Sequence, residues 1–399
     1  MADVRPFRAI RPRDDLAARV IAPPYDVLTD AECMELGRDP LHFVHVTRSE
    51  IDLPAGTDPH SPLAWNQARL NLDRMLASGV LVEDEDAKFH LYGQEMGDHV
   101  QVCLLGAASV AEYDDGRIVK HEFTRPDKED DRARHMEVLD AQVGLVFLAY
   151  RPQDRLDSII RDLSSSPPRW QAQTEDGVIH RFWSVPSGLS SAVESSCREL
   201  DKLYICDGHH RSAAASRVHA RRQTEASSTF LAGLFPADQL VVMAYNRVVD
   251  DLNGHDASTF LAAVGRAFEV TPDGPAAPVV RGQISMFLAG RWSTLTPRPG
   301  FRGSDAVSRL DVSILQDHLL GPILGIDDPR RSTRIHFVGG IRGTDALVAA
   351  VEAGAAVAFS LAPTGLDQLF DVADSGEVMP PKSTWFEPKL REGVVSRRI

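Results

Sequence analysis

One short stretch joins an apolar run to an alanine-rich segment: Leu203-Tyr204-Ile205-Cys206-Asp207-Gly208-His209-His210-Arg211-Ser212-Ala213-Ala214-Ala215. The apolar run predicts a buried strand that stops at Asp207, and Gly208 permits a tight turn into a helix. The first N–H groups of a helix and the positive end of its dipole favour an anion. Histidine and arginine side chains add donors for phosphate oxygens. We therefore predict a phosphate-binding turn formed by Asp207, Gly208, His209, His210 and Arg211.

Two other interpretations of this turn remain open. Asp207 is by residue type a good N-cap, so the stretch also fits an ordinary capped helix whose histidines are polar surface. Cys206, His209 and His210 carry atoms that bind zinc, but zinc sites use three or four ligands. No other Cys/His cluster in the sequence completes such a set. The sequence therefore favours phosphate over a protein-ligated metal.

Length and charge narrow the class of protein. The chain has 399 residues, which suits about two domains. Its 43 Lys and Arg against 57 Asp and Glu leave a net charge of −14, which argues against nucleic acid as a partner, because phosphate neutralisation needs clustered basic residues. The four cysteines form no C-x-x-C pair, and neither a signal peptide nor a membrane span is indicated. We expect a cytoplasmic protein.

The pattern of apolar residues predicts an α+β chain with an α/β tail. Residues 164–168 and 271–278 are rich in Ser, Pro and Gly and predict linkers, and Asp114-Asp115-Gly116 predicts a hairpin turn. We predict a nucleotide-binding core at residues 1–250 and an α/β C-terminal domain at 251–399. Strands are predicted at 89–94, 100–105, 143–150, 178–185, 203–206, 240–249, 284–288, 292–296 and 355–361, and helices at 61–78, 209–222, 257–268, 312–320, 344–353 and 366–373.

A second candidate segment lies near the N-terminus: Ile21-Ala22-Pro23-Pro24-Tyr25-Asp26-Val27-Leu28-Thr29. Its two prolines favour an extended path, which would hold Tyr25 and Asp26 rigidly. A rigidly held carboxylate suits the work of a general base. The alternative is a turn in which Asp26 only caps the helix that follows.

A third segment, residues 121–132, mixes both signs of charge in the sequence HEFTRPDKEDDR. Most such runs are solvated surface, which is one interpretation. The other is a catalytic or metal-water edge formed by His121, Glu122 and Thr124. In that case the basic side chains of the segment would bind phosphates: Arg125, Lys128 and Arg132.

A fourth segment, residues 379–389, reads MPPKSTWFEPK. Lys382-Ser383-Thr384 is similar to the end of a P-loop, but the required G-x-x-x-x-G-K-[ST] spacing is absent. We therefore reject a P-loop and predict that the segment lines a pocket.

Four motifs occur in order along the chain: IAPPYDV, HEFT followed by D-K-x-x-D-R, DGHHR, and MPPKSTWFEPK. This arrangement resembles, over essentially the whole chain, the bacterial and archaeal family catalogued as domain of unknown function one thousand and fifteen. The family is similar in its core to the ParB/sulfiredoxin superfamily and to the archaeal ADP-dependent free-serine kinase. In that superfamily a G-x-x-R box at a helix start binds nucleotide phosphates, and Gly208-His209-His210-Arg211 matches the box.

The resemblance implies a ParB-like core and phosphoryl transfer from ADP or ATP to the hydroxyl of free serine or a similar small hydroxy compound. It assigns Asp26 to activation of that hydroxyl, with His121 and Glu122 as further catalytic candidates. Mg²⁺ would bridge the phosphates, with Glu122 or Asp207 as its protein ligand. The residues that we predict to contact the substrate are Tyr25, Thr124, Arg125, Lys128, Lys382, Ser383 and Thr384.

Two other functions compete with a kinase. One is a non-catalytic, ParB-like switch that binds ATP or CTP and changes a partner interaction. The other is a DNA-associated regulator, against which the acidic net charge counts.

Overall fold

The computed structural model describes all 399 residues and separates them into two compact units. The first unit consists of residues 1–240 and 388–399, and the second of residues 241–387. Helices take up 35% of the chain and strands 26%, which confirms the predicted mixture of the two. No helix is both long and apolar enough to cross a membrane.

The first unit is built on a nine-stranded mixed sheet. Leu203–Asp207 runs parallel to Ile118–Val119, and Thr229–Pro236 runs parallel to Val146–Tyr150, whereas the other neighbours are antiparallel. In spatial order the strands are Ile118–Val119, Leu203–Asp207, Val146–Tyr150, Thr229–Pro236, His99–Ser109, His90–Met96, Ile179–Ser184 and Trp170–Gln173, with Val4–Arg5 paired to His99–Ser109.

Nine α-helices accompany this sheet. The longest of these helices has a typical N-terminus. Ser61 Oγ accepts a hydrogen bond from the backbone N–H of Ala64 at 3.3 Å. Pro62 occupies the first turn, where a backbone N–H would have no intrahelical acceptor, so the absence of an N–H in proline costs no hydrogen bond. The helices are Ala17–Val20, Asp30–Leu36, Val44–Thr47, Pro62–Ala77, Val110–Asp114, Pro126–Leu139, Asp154–Ser164, Ser190–Arg198 and His209–Arg222.

The second unit contains a six-stranded antiparallel sheet. Its spatial order is Phe268–Pro272, Arg291–Pro297, Ile284–Leu288, Val357–Leu361, Tyr245–Val249 and Ile335–Gly339. The α-helices are Ala257–Ala267, Asp311–Leu315, Asp345–Glu352 and Leu366–Asp374, and the second continues as a π-helix over Gln316–Leu320.

Most predicted elements occur in the structure, with two instructive differences. The predicted hairpin turn at 114–116 is wrong, because Val110–Asp114 is a helix whose N-cap Ser109 accepts from the N–H of Glu112. The predicted strand at 240–249 is interrupted, and its halves join different sheets of the second unit: Val241–Met243 and Tyr245–Val249.

The chain enters and leaves the second unit at adjacent positions. Val241–Met243 pairs antiparallel with Trp385–Glu387, and Val241 lies opposite Glu387. The second unit is therefore an insertion into the chain of the first, between residues 240 and 388.

The last twelve residues return to the first unit. Glu392 forms an isolated bridge with Ala22, and Ser396 forms another with Ile10. Arg397–Arg398 then pairs antiparallel with Ala141–Gln142. The sequence-based division at residue 250 places this segment in the C-terminal domain. The structure differs because the pairing joins residues far apart in the chain, which no local pattern reports.

Candidate active site

A recess in the first unit brings together three of the four motif regions. It is partly open to solvent, and its cavity volume is about 20 Å³, which suits one small polar group rather than a whole nucleotide. The helices Pro126–Leu139 and His209–Arg222 each contribute an arginine to its wall. The lining residues are Tyr25, Thr47, Arg132, His135, Met136, Val143, Gly144, Arg211 and Glu392.

The strand-to-helix turn has the predicted form, with one correction. The helix begins at His209, and Gly208 at its N-cap has a φ of 91°. Asp207 is not the N-cap; its Oδ1 accepts from the N–H of Gly208 at 2.7 Å. A Cβ added at Gly208 would lie 3.3 Å from the Cα of Val146. Two features therefore favour glycine at position 208: the left-handed backbone conformation and the close approach of the neighbouring strand.

Replacing Gly208 by alanine tests this requirement. We expect Gly208→Ala to lower the free energy of unfolding by about 2–3 kcal/mol, since left-handed strain costs about 1–2 kcal/mol and the contact with Val146 adds to it. Gly116→Ala is the matched control, because Gly116 has a φ of 83° and nothing within 4 Å of its added Cβ. Urea unfolding of both variants separates the two costs. Equal losses would contradict the role assigned to Val146.

Asp207 is held as an ionised carboxylate. Its Oδ2 accepts from Lys389 Nζ at 3.1 Å. Burial by itself would raise the pKa of Asp207, but the positive charges of Lys389 and Arg211 outweigh it and bring that pKa below its usual range. Both carboxylate oxygens of Asp207 therefore accept a hydrogen bond, one from Lys389 and one from the backbone N–H of Gly208.

Two histidines of the predicted site form a buried pair. The rings of His121 and His209 meet edge to face with centroids 4.6 Å apart. His121 Nδ1 and His209 Nε2 are buried and have no hydrogen-bond partner. Burial lowers the pKa of His121 to about 4 and, together with the neighbouring His121, lowers that of His209 well below its usual value. Both rings are therefore neutral at pH 7, and any contact with a phosphate would be a hydrogen bond rather than an ion pair.

Two arginines bring positive charge to the recess. The guanidinium of Arg132 lies 4.2 Å from the ring centre of Tyr25, and that of Arg211 lies 6.0 Å from it. Arg211 also donates to the carbonyl oxygen of Leu145, and Arg132 is paired with Asp131. Burial would lower the pKa of Arg211, but nearby carboxylates, Asp207 first, raise it above its usual value. Arg211 therefore stays charged although it is buried.

The IAPPYDV segment reaches the recess through Tyr25, whose pKa is raised mainly by burial. Asp26 lies next to it in a turn and is exposed. The cap of the next helix is Thr29, which forms a capping box with Glu32. The interpretation of Asp26 as a helix cap is therefore wrong. Its charge contributes to the raised pKa of Arg211, so it acts on the recess, and its predicted catalytic role stays a prediction.

The HEFT segment connects to the strand-to-helix turn through one hydrogen bond. The N–H of Arg125 donates to His210 Nε2 at 3.1 Å. The side chain of Arg125 is exposed and pairs with Asp127 at 2.8 Å, and Lys128 Nζ lies 3.4 Å from His60 Nε2.

Thr124 in the same segment donates to Glu129. Arg132, from the same charged run, is the basic side chain that lines the recess. Substrate binding by Thr124, Arg125 and Lys128 and catalysis by Glu122 stay predictions.

The residues predicted from the fourth motif belong to the second unit. Ser383 Oγ donates to the carbonyl of Pro380 at 2.5 Å, and Thr364 Oγ1 donates to the carbonyl of Ser383 at 2.9 Å. Lys382 has a φ of 58°, and its ammonium lies 5.5 Å from the ring centre of Tyr245. These contacts shape the segment locally, and the substrate-binding role of Lys382, Ser383 and Thr384 stays a prediction.

Glu392 is one of the recess residues that sequence reasoning missed, together with Thr47 and His135. Its side chain is buried, and Oε2 has no hydrogen-bond partner. Burial raises the pKa of Glu392 to about 7, although Arg211 acts in the opposite direction. The only signal in the sequence is its position three residues after the fourth motif, and nothing there distinguishes it from other glutamates.

Metal binding by the protein alone finds no support in the side-chain arrangement. No group of three or more His, Cys, Asp or Glu side chains in the chain is placed to hold an ion. A Mg²⁺ bound together with phosphates would need only one or two carboxylates from the protein, and Glu122 and Asp207 stay the predicted ones.

The fold and site define a mixed α and β protein of two units whose first unit carries a partly open recess lined by two arginines. The chain matches the family model described as "Protein of unknown function (DUF1015)" over residues 4–313, and it belongs to that family. No curated protein matches the sequence.

Three solved structures illustrate what the chain is similar to. A conserved hypothetical protein from Pyrococcus furiosus has 12% sequence identity and a TM-score of 0.36, covering 71% of this chain and 90% of its own. Free serine kinase in complex with AMP has 12% identity and a TM-score of 0.38, with coverages of 71% and 86%. C-terminally truncated SbnI from Staphylococcus aureus has 12% identity and a TM-score of 0.39, with coverages of 72% and 84%.

Proposed function

We propose that this protein binds ADP or ATP by its phosphates at the turn of Asp207–Arg211 and transfers a phosphoryl group to the hydroxyl of free serine or a similar small hydroxy compound. The first unit would be a ParB/sulfiredoxin-like nucleotide-binding core, acting in the cytoplasm. The observation that carries the proposal is the placement of Arg132 and of Arg211, which lies in the first turn of a 14-residue helix, on one partly open recess.

This arrangement suits the chemistry of phosphoryl transfer. Such reactions depend on positioned phosphates and on neutralisation of their charge, with little covalent work for the protein. Arg211 is buried and charged, and the positive end of the helix dipole at this turn favours an anion. Arg132 adds a second guanidinium within reach of the same space. Together they favour a phosphorylated ligand over a neutral one.

The acidic residues divide into distinct roles in this proposal. Asp26, exposed beside Tyr25, would orient the acceptor at the mouth of the recess. Mg²⁺, when bound with the nucleotide, would neutralise phosphate charge and bridge its oxygens. Glu122 and Asp207 are the two candidates for its protein ligand, and both oxygens of Asp207 also accept hydrogen bonds.

Calorimetric titration with ADP, ATP and CTP in the presence of Mg²⁺ tests the binding step. We expect Arg211→Gln and Arg132→Gln each to weaken nucleotide binding about 30-fold, because a hydrogen bond to a charged group contributes about 2 kcal/mol. Arg221→Ala is the control, since Arg221 lies on the same helix, is exposed and pairs with Glu137 at 2.9 Å. Unchanged affinity in both recess variants would refute the phosphate assignment.

Phosphorus NMR with a panel of hydroxy amino acids, including serine, tests the transfer step. Formation of a phosphorylated acceptor supports the kinase. Nucleotide that binds with normal affinity and stays intact would favour the non-catalytic switch instead.

A further inference from the structure

Two buried polar atoms in the recess, Glu392 Oε2 and Thr47 Oγ1, make no well-formed hydrogen bond, although the Thr47 hydroxyl lies close enough to the Glu392 carboxyl to lower its pKa. Their residues are 4% and 7% exposed, and both line the recess. Buried polar groups are almost always well paired in native proteins, so this poorly paired carboxylate and hydroxyl leave room for a further group that bonds to both. A hydroxyl satisfies both at once, because it can donate to the carboxylate oxygen of Glu392 and accept from the hydroxyl of Thr47.

The position of Glu392 is tightly determined. Its backbone N–H and carbonyl exchange hydrogen bonds with Ala22 at 2.9 Å each, three residues before Tyr25. The preceding Arg391 is paired with Asp176. At Gly393, where φ is 77°, an added Cβ would lie 2.8 Å from Phe43. The position of residues 388–399 is therefore fixed on both sides of Glu392.

From these observations we propose that Glu392 is the proton acceptor of the site, receiving the proton of the acceptor hydroxyl as it is phosphorylated. The inference rests on the proposed phosphoryl transfer and adds the group that activates the nucleophile. Asp26 keeps the role of orienting the acceptor, because it is exposed whereas Glu392 is enclosed.

The groups that face Glu392 set its pKa. Burial raises this pKa to about 7 and Asp26 adds to the shift, whereas Arg211, a hydrogen bond from Thr47 and the charge of Arg132 oppose it. Tyr25 also faces the carboxylate, and its own pKa is raised by burial. A general base works best when its pKa lies near the operating pH.

A neutral neighbour completes this side of the recess. His135 hydrogen-bonds the carbonyl of Val46 through Nε2 at 3.2 Å, and burial lowers its pKa to about 4. It therefore does not compete with Glu392 for a proton near pH 7.

The step balances in atoms and charge. The hydroxyl oxygen forms a bond to phosphorus while the bond between phosphorus and the bridging oxygen of the nucleotide breaks, and that electron pair leaves with the nucleotide. The hydroxyl proton passes to Glu392 Oε2, and the neutral carboxyl then returns it to solvent. No oxidant or reductant takes part.

The test compares Glu392→Gln, Glu392→Asp and Asp26→Asn by phosphorus NMR, with ATP or ADP, Mg²⁺ and serine, and with water as the competing acceptor. We expect Glu392→Gln to lower kcat about 100-fold, the usual contribution of a general base, while the nucleotide Kd changes less than about threefold. In the wild type, kcat/KM should rise with pH through an ionisation near 7, which Glu392→Gln abolishes and Asp26→Asn retains. Glu392→Asp should restore part of the rate. Glu225→Gln, at an exposed site of the first unit, is the control.

Two results would overturn the inference while leaving nucleotide binding intact. One is a Glu392→Gln variant that keeps both the rate and the ionisation near 7. The other is wild-type protein that binds nucleotide and forms neither phosphorylated acceptor nor inorganic phosphate, which refutes the proposed transfer as well. Absence of nucleotide binding by the wild type is a different outcome, because it refutes the proposed function itself and the inference with it.

Discussion

A chain that ends at Glu387 should not fold its first unit, whereas a chain in which a short Gly-Ser linker replaces residues 241–387 should fold it. The second unit is inserted between residues 240 and 388, and the twelve residues that follow it belong to the first unit. Removing them takes away the bridges at Ala22 and Ile10 and the ion pair between Lys389 and Asp207.

The size of this effect follows from burial. Four apolar side chains of residues 388–399 are buried in the first unit: Leu390, Val394, Val395 and Ile399. Burying such a side chain contributes about 1.5–3 kcal/mol, so the four contribute about 6–12 kcal/mol. That is comparable to the whole stability of a typical domain, about 5–15 kcal/mol.

Circular dichroism and urea unfolding distinguish the two chains. The linker needs only about four residues, since Val241 lies opposite Glu387 in an antiparallel pair and such partners are about 5 Å apart. We expect cooperative unfolding for the linked chain and none for the truncated one. A truncated chain that unfolds cooperatively at the same urea concentration as the linked one would contradict the assignment of the tail to the first unit.

Replacing Glu392 by glutamine should change how stability depends on pH. The pKa of Glu392 is about 7 in the folded protein against an ordinary 4.5. Between these values the folded protein retains a proton that the unfolded chain has lost, so this group makes wild-type stability fall as the pH rises from 4.5 to 7. Glutamine carries no such proton. The free energy of unfolding of Glu392→Gln relative to the wild type should therefore increase by about 3 kcal/mol from pH 4.5 to pH 8.

Urea unfolding at intervals of pH measures this difference. The subtraction of the two curves removes the contributions of all other titrating groups that the substitution leaves unchanged. Glu225→Gln, at an exposed position, should give a curve parallel to that of the wild type. Parallel curves for Glu392→Gln as well would mean that the carboxyl does not titrate in a buried state. This measurement needs no ligand, so it is independent of the proposed reaction.

Local features of the site were predictable because they depend on neighbours in the chain. The apolar run before Asp207, the glycine at 208 and the alanine-rich segment specify a strand, a left-handed turn and a helix by short-range sterics alone. The predicted helix at 209–222 is confirmed as His209–Arg222. Arg211 was placed at a helix start for the same reason.

The predicted N-cap residues of two helices were wrong, because more than one nearby residue is of a type that can cap. Asp207 and Asp26 are both good caps by type, but Gly208 and Thr29 hold the cap positions. Side-chain type states which residues can cap, whereas backbone geometry at each position decides which one does.

The sequence by itself determined the strand-to-helix turn, the mixture of helix and strand and the family to which the chain belongs, because each depends on short-range patterns or motif order. The tertiary structure alone decided the membership of residues 388–399, the insertion of the second unit and the meeting of Tyr25, Arg132, Arg211 and Glu392 at one recess. These residues are separated by long stretches of chain, and the burial that raises the pKa of Glu392 exists only after they have packed together.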